Sequence, residues 1–280
     1  MMRQNRLPLQ LTAFAICAVT AVFTLIPFLF MLISSFKPGQ ELMRYGISLK
    51  LDTAVMNLNN YLLLAADSGA IYFRWYANSL LITAIQTAAC LGLSSAVGYA
   101  LAVYRFRGRN LVFILVLVVM MVPVEILLLP LYKLVIGMGI YNTYAGVILP
   151  YAVSPFAVFF FRQYAVGIPG DFIDAARIDG CGEFRIFVQI IFPLMKPAVG
   201  AMTILQAMGS WNAFVWPMIV TADRFKMTLP VGLSTMITPY GNNYNMLMPG
   251  AVLAVIPIAI IYLFRQSAFI DGMTIGGVKG

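Results

Sequence analysis

A chain of 280 residues, 61% hydrophobic and 10% charged with a mean hydropathy of +0.90, lies far outside the range of soluble domains and is read as an integral membrane protein. Its net charge of +8 sits in short clusters flanking apolar blocks, a pattern that marks membrane topology and argues against nucleic acid as a partner. With no histidine, and with Cys17, Cys90 and Cys181 as its thiols, the chain is expected to hold no catalytic residues, no metal site and no disulfide framework.

Arg3 and Arg6 precede an apolar run over residues 7–36. It is too long for a signal-peptide core and has no A-x-A cleavage site, so it reads as an uncleaved first span with Pro27 kinking its outer end. Residues 37–76 mix Glu41, Arg44, Lys50, Asp52, Asp67 and Arg74 with apolar residues, which predicts an external segment of turns and short interfacial helices. A second span is expected from Asn78 to Tyr104. Its Ala84, Ala88, Gly92, Ser95 and Ala96 offer a small-residue face for another helix. Arg105, Arg107 and Arg109 then mark a cytoplasmic turn. The third span, Leu111 to Tyr132, contains Pro123 and Pro130 and should be bent or broken in its outer half. The fourth runs from Tyr144 to Tyr164.

Residues 167–197 form a polar island that holds four of the ten acids. Pro169 suits a first helical turn and Gly180 a left-handed end, so a helix of about three turns is predicted over Gly170–Asp179. In a second helix Phe184, Phe187, Val188, Ile191 and Phe192 share one apolar face, and Pro193 stops the pattern. Ala175 and Ala176 present a low surface able to enter a groove, with Asp174, Arg177 and Asp179 placed to pair at its rim. A fifth span follows over Ala198–Val220, then an external loop to Leu247 and a sixth span over Pro249–Phe264. Six spans put both termini on one side. Eleven of the eighteen Lys and Arg fall on the side of the island, so that side is the cytoplasm. The chain is thus one membrane domain with its core in spans two to six (residues 77–265) and a cytoplasmic tail over residues 266–280.

The run Asp174-Ala175-Ala176-Arg177-Ile178-Asp179-Gly180, with Phe187, Pro193 and Pro197 at their spacing, resembles the cytoplasmic EAA loop of ATP-binding-cassette importer permeases. Asp174 stands where that loop usually has glutamate. The wider chain is similar to the second permease of carbohydrate importers of the maltose-importer type, through Met121-Val122-Pro123-Val124-Glu125, Ser210-Trp211-Asn212 and the ending Gly272 to Gly280. Within that group, Ala157 to Tyr164, Asp179-Gly180-Cys181 and Pro239 to Tyr244 resemble the permease of bacterial arabino-oligosaccharide importers.

The resemblance implies an all-α protein of six transmembrane helices, the type I importer permease fold, in a bacterial cell membrane. It implies that the island docks as a coupling helix in a cleft of a cytosolic ATPase. The full importer would hold a homologous second permease, two ATPase subunits that use ATP and Mg, and an extracellular solute-binding protein delivering an oligosaccharide. This chain would bind no cofactor, and it carries no P-loop of its own. The loop with Tyr240, Asn242, Asn243 and Tyr244 would face the binding protein, and the tail with Gly277 and Lys279 the ATPase pair.

Three residues have two readings each. Glu125, an acid in an apolar block roughly 20 Å along its span, either meets water or broken-helix backbone, or handles a proton or solute. Trp211 and Asn212 either pack between helices or line a sugar pathway, the ring covering a C–H face and the amide pairing hydroxyls. A related permease for glycerol phosphate is the alternative solute reading, and it would call for Arg or Lys in the cavity. A secondary transporter would show internal repeats and coupling acids, and an intramembrane enzyme a nucleophile with a base. The sequence shows neither pattern.

Overall fold

The structure, a computed structural model, describes residues 7–46, 50–66, 71–238 and 241–274. Its helices follow the apolar runs: α1 (Leu7–Ser35), α2 (Gly39–Tyr45), α3 (Asn59–Ala66), α4 (Ile71–Val103), α5 (Arg109–Met120), α6 (Val124–Gly137), α7 (Tyr144–Ile148), α8 (Pro155–Val166), α9 (Asp171–Ile178), α10 (Glu183–Ile186), α11 (Phe192–Leu194), α12 (Lys196–Trp211), α13 (Val215–Val220), α14 (Leu229–Ser234) and α15 (Tyr244–Thr274). A two-residue hairpin, β1 (Ile237–Thr238) with β2 (Gly241–Asn242), pairs Ile237 with Asn242 antiparallel. Gln10–Ser35, Ile71–Val103 and Tyr244–Phe264 are each long and apolar enough to cross a bilayer alone. Three bent pairs bring the total to six if each pair is one span. The multi-pass architecture read from the sequence is therefore present.

The bends lie where backbone hydrogen bonding is interrupted. α5 and α6 meet at 106°. Pro123 lacks an N–H, forces the residue before it away from helix, and caps the start of α6; Pro130 lies inside α6, which runs on to Gly137. The stretch from Tyr144 to Tyr151 meets α8 at 43°, where the Ser154 hydroxyl caps α8 by accepting from the Ala157 N–H at 3.3 Å and Pro155 opens the helix. The fifth span is shorter than expected: α12 ends at Trp211, and α13 restarts at Val215 after three residues. Spans two and six are longer than expected. α4 begins at Ile71, where Tyr72 and Trp75 are fully buried, and α15 begins at Tyr244.

The fold divides into two compact units. In the unit holding residues up to Phe73 and Leu233–Ile256, polar groups tie the end of α1 to α3, and α4 to α15. Asn60 Nδ2 donates to the carbonyls of Ser35 (3.0 Å) and Lys37 (2.7 Å), and the Tyr72 hydroxyl donates to the Gly250 carbonyl at 2.8 Å. In the unit holding Arg74–Gly232, one apolar cluster joins Cys90 and Tyr99 of α4, Phe161 of α8, Ile173 and Ala176 of α9, and Ile186, Ile191 and Met195 beyond it. A second cluster joins Ile82, Val135, Val147, Trp216 and Val220. The expected small-residue face of α4 is only partly used: Ala84, Ala88 and Gly92 are exposed, Ala96 is half-buried and Ser95 is buried, as are Thr83, Thr87 and Ser94.

Candidate functional site

Two places in the second unit gather polar chemistry: the corner that follows α8, and a cavity where helices break. At the corner, Gly170 and Asp179 flank α9 as caps, so the helix has eight residues and about two turns instead of three. Gly180 has φ +77°; its N–H donates to the Arg177 carbonyl at 3.0 Å and the Cys181 N–H to the Ala176 carbonyl at 2.9 Å. These two bonds are the Schellman closure, and they satisfy carbonyls the helix end leaves open. A Cβ at Gly180 would meet nothing within 4 Å, so glycine is required by backbone conformation and not by crowding.

Across that closure Arg177 makes two parallel bonds to Glu183, Nε to Oε1 at 2.8 Å and Nη2 to Oε2 at 3.2 Å, and Nη1 lies 3.5 Å from Asp174 Oδ1. The Tyr104 hydroxyl, just past the end of α4, donates to the same Glu183 carboxylate at 2.6 Å. The Arg177 bonds, then that of Tyr104, hold the Glu183 carboxyl below its ordinary value, and Glu183 in turn raises Arg177. Arg177 is thus engaged inside the corner, where pairing at an outer rim was expected. Glu183 and Tyr104 escaped the sequence reading because their partner lies across a turn or on another helix.

The expected pair of surface alanines is half right: Ala175 is exposed, whereas Ala176 is buried with Ile173 against Tyr99 and Phe161. What α9 and α10 do expose is apolar, with Phe172, Ile178 at 86% and Phe184 at 80%, beside the exposed acids Asp174 and Asp179. The expected apolar face of the second helix is also corrected. Residues 187–191 wind as a π-turn, which buries Ile186 and Ile191 five residues apart and turns Phe184 outward. Phe187 stacks on Tyr99 with centroids 5.4 Å apart. Pro193 does not end the stretch: it sits inside α11, and the break comes at Met195, where the chain bends by 79° into α12.

The cavity, about 790 Å³, is lined by all three remaining interruptions: Met120, Val122 and Glu125 at the first, Tyr151 and Ser154 at the second, Ser210 and Phe214 at the third. Irregular backbone at membrane depth is tolerated where it is buried in protein or lines a cavity, and these breaks meet that condition together. Glu125 stands in the first turn of α6, where an anion is favoured by the helix dipole. The Ser210 hydroxyl donates to Gln86 Oε1 at 3.2 Å. Trp216 is held by its Nε1, which donates to the Gly146 carbonyl at 3.2 Å, and its ring meets that of Tyr151 edge-on at 6.1 Å.

Trp211 and Asn212 lie elsewhere. Trp211 is 4% exposed and packs edge-on against Tyr76 at 5.5 Å, and Asn212 is an exposed cap residue after α12. The aromatic side chains on the cavity wall include Trp216 and Tyr151, which gave no signal in sequence beyond that of ordinary span aromatics. In the loop after span five, Asn243 is exposed and donates its N–H to the Met236 carbonyl at 3.0 Å, Tyr244 opens α15, and Asn242 pairs in the hairpin. Tyr240, Gly277 and Lys279 lie outside the described residues.

Residues 88–271 match the family described as binding-protein-dependent transport system inner membrane component. The chain is 54% identical over 256 residues, 91% of each chain, to the "Arabinooligosaccharides transport system permease protein AraQ" of Bacillus subtilis (strain 168). It is 50% identical over 267 residues, 95% of this chain and 94% of the relative, to the protein of the same description from Halalkalibacterium halodurans. Its fold superposes with a TM-score of 0.82 at 22% identity, over 96% of this chain and 99% of the other, on a chain of a bacterial ABC transporter involved in the import of the acidic polysaccharide alginate. The all-helical, multi-pass arrangement is thus that of the type I importer permease fold, and the chain belongs to the binding-protein-dependent transport system inner membrane components.

Proposed function

We propose that the protein is the membrane permease of an ATP-driven importer for arabino-oligosaccharides or related plant-derived sugars. In this reading it forms half of the pathway beside a homologous permease. Two cytosolic ATPase subunits drive it with ATP and Mg, and an extracellular binding protein supplies the sugar. The descriptions of its two relatives, at 54% and 50% identity, support the solute class. The corner is the observation that carries the coupling role. An eight-residue helix, closed by Gly180 and braced by Arg177 and Glu183, holds Phe172, Ala175, Ile178 and Phe184 out to solvent. Such a rigid apolar ledge with acids beside it suits docking in a cleft, because little side-chain order is lost on binding.

The bias of basic residues to the side of the corner supports placing both termini in the cytoplasm. The loop around Asn243 then lies outside, toward the binding protein, and the tail with Gly277 and Lys279 lies inside, toward the ATPases. Among the glycerol phosphate and sugar readings, the cavity favours a neutral solute, since no Lys or Arg among the described residues lines it. The test is purification of tagged permease with the ATPase, alongside uptake of labelled arabino-oligosaccharide in cells that depend on this chain. Loss of both on deletion of the chain, restored by the wild-type copy, is the expected result. Unchanged uptake on deletion overturns the reading.

A further inference from the structure

Resting on that reading, we infer that the cavity at the three helix breaks is a binding subsite of this subunit for one neutral sugar ring, and that Glu125 makes it reject anionic sugars. Its volume of about 790 Å³ falls within the range of small-molecule sites. Its wall has the two kinds of surface that a sugar needs. Tyr151, half-buried and backed edge-on by the buried Trp216 ring, and the exposed Phe214 offer aromatic surface to a C–H face. Gln86 and Ser210 already pair with each other through the Gln86 carbonyl, which leaves the Gln86 amide NH2 as a donor to a hydroxyl.

Charge sets the selectivity. Among the described residues of the wall Glu125 is the charged side chain, and none is Lys or Arg. A sugar hydroxyl can donate to its carboxylate, whereas a uronate or phosphate brought into the same cavity meets like charge in surroundings that screen it poorly. Both polar ends of the site come from elements that the breaks position: the first turn of α6 for Glu125, and the last turn of α12 for Ser210.

The experiment uses cells carrying the complete importer, supplied with a neutral arabino-oligosaccharide or with the same oligosaccharide bearing a uronic acid. Because the binding protein is unchanged, any shift in the ratio of the two uptakes comes from the permease. Gln86→Leu should lower neutral uptake roughly tenfold, the size of one lost hydrogen bond. Glu125→Lys should raise the acidic-to-neutral ratio by about tenfold or more. A ratio unmoved by Glu125→Lys, with neutral uptake unmoved by Gln86→Leu, overturns the inference. A readout that survives poor assembly of those variants is Ser210→Cys in membranes. Saturating sugar should slow its labelling by a maleimide several-fold, and labelling indifferent to sugar also overturns the subsite. If the wild-type importer takes up no neutral oligosaccharide, the solute reading itself fails, an outcome distinct from the other two.

Discussion

Arg177 and Glu183 face each other across the Gly180 closure with two bonds, 2.8 and 3.2 Å long, so the helix before the turn and the helix after it are locked by one planar pair. Two parallel bonds fix orientation as well as distance. The lock sets the angle at which the exposed apolar side chains of the corner are offered. Being exposed, the pair matters for geometry more than for global stability.

Gly180→Val should cost about 1 to 2 kcal/mol locally, because a β-branched residue is strained at φ +77°. The spans bury far more surface than the corner, so the variant should insert in the membrane while ATPase co-purification and sugar uptake fall. Gly180→Asn, which enters the left-handed region more readily, should lie between the two. Normal ATPase retention by Gly180→Val would remove the corner from coupling.

Ile178→Asp and Phe184→Asp should abolish ATPase retention at unchanged permease level, since both side chains are at least 80% exposed and leave no cavity behind. Asp174→Lys should weaken retention by charge reversal and Asp174→Glu should do so least. Pull-down from detergent-solubilised membranes reads all four.

The pH dependence of the corner follows from Glu183, whose carboxyl is held below its ordinary value of 4.5, first by Arg177 and then by Tyr104. A depressed acid contributes its stabilisation above the ordinary value and loses it as pH falls through the lowered one. ATPase retention should therefore be flat from about pH 8 to pH 5 as far as this pair is concerned, and fall only in stronger acid. Glu183→Gln should show the weakened level throughout. A wild-type midpoint near neutrality would contradict this account.

Trp211→Ala should reduce the amount of permease in the membrane, because removing a buried indole from its contact with Tyr76 costs about 3 to 5 kcal/mol. Uptake per remaining subunit should hold, and Trp211→Phe should restore the level. A fall in uptake at full membrane level would return Trp211 to the pathway.

Orientation can be read by labelling. A cysteine at Asn243, which is exposed, should react with an impermeant thiol reagent in intact cells, and Cys181 should not. The reverse pattern would put the corner outside and end the coupling reading.

Spans were legible because apolar run length is a direct measure of what crosses a bilayer, and Pro123 announced its break because a missing N–H cannot be hidden. The end of α12 was not legible: Asn212, Ala213 and Phe214 include no proline or glycine to mark it. Gly180 was legible as a left-handed stop, while the π-turn after it was not, since an apolar face read at 3.6 residues per turn assumes the very winding that residues 187–191 abandon. The cavity could not be foreseen because Gln86, Glu125, Tyr151 and Ser210 come together only through the breaks. In the motif Ser210-Trp211-Asn212 it is the smallest side chain that reaches the wall.

The burial of Ile173 and Ala176 in one cluster with Tyr99, Phe161, Ile186 and Met202 has a mechanical meaning. A close-packed interior transmits displacement and does not absorb it. A push on α9 must therefore be carried as by a lever arm into α4, α8 and α12, with compliance left to the interruptions at residues 121–123, 152–154 and 212–214. The fulcrum would lie at the breaks, and the load would be whatever occupies the space they enclose.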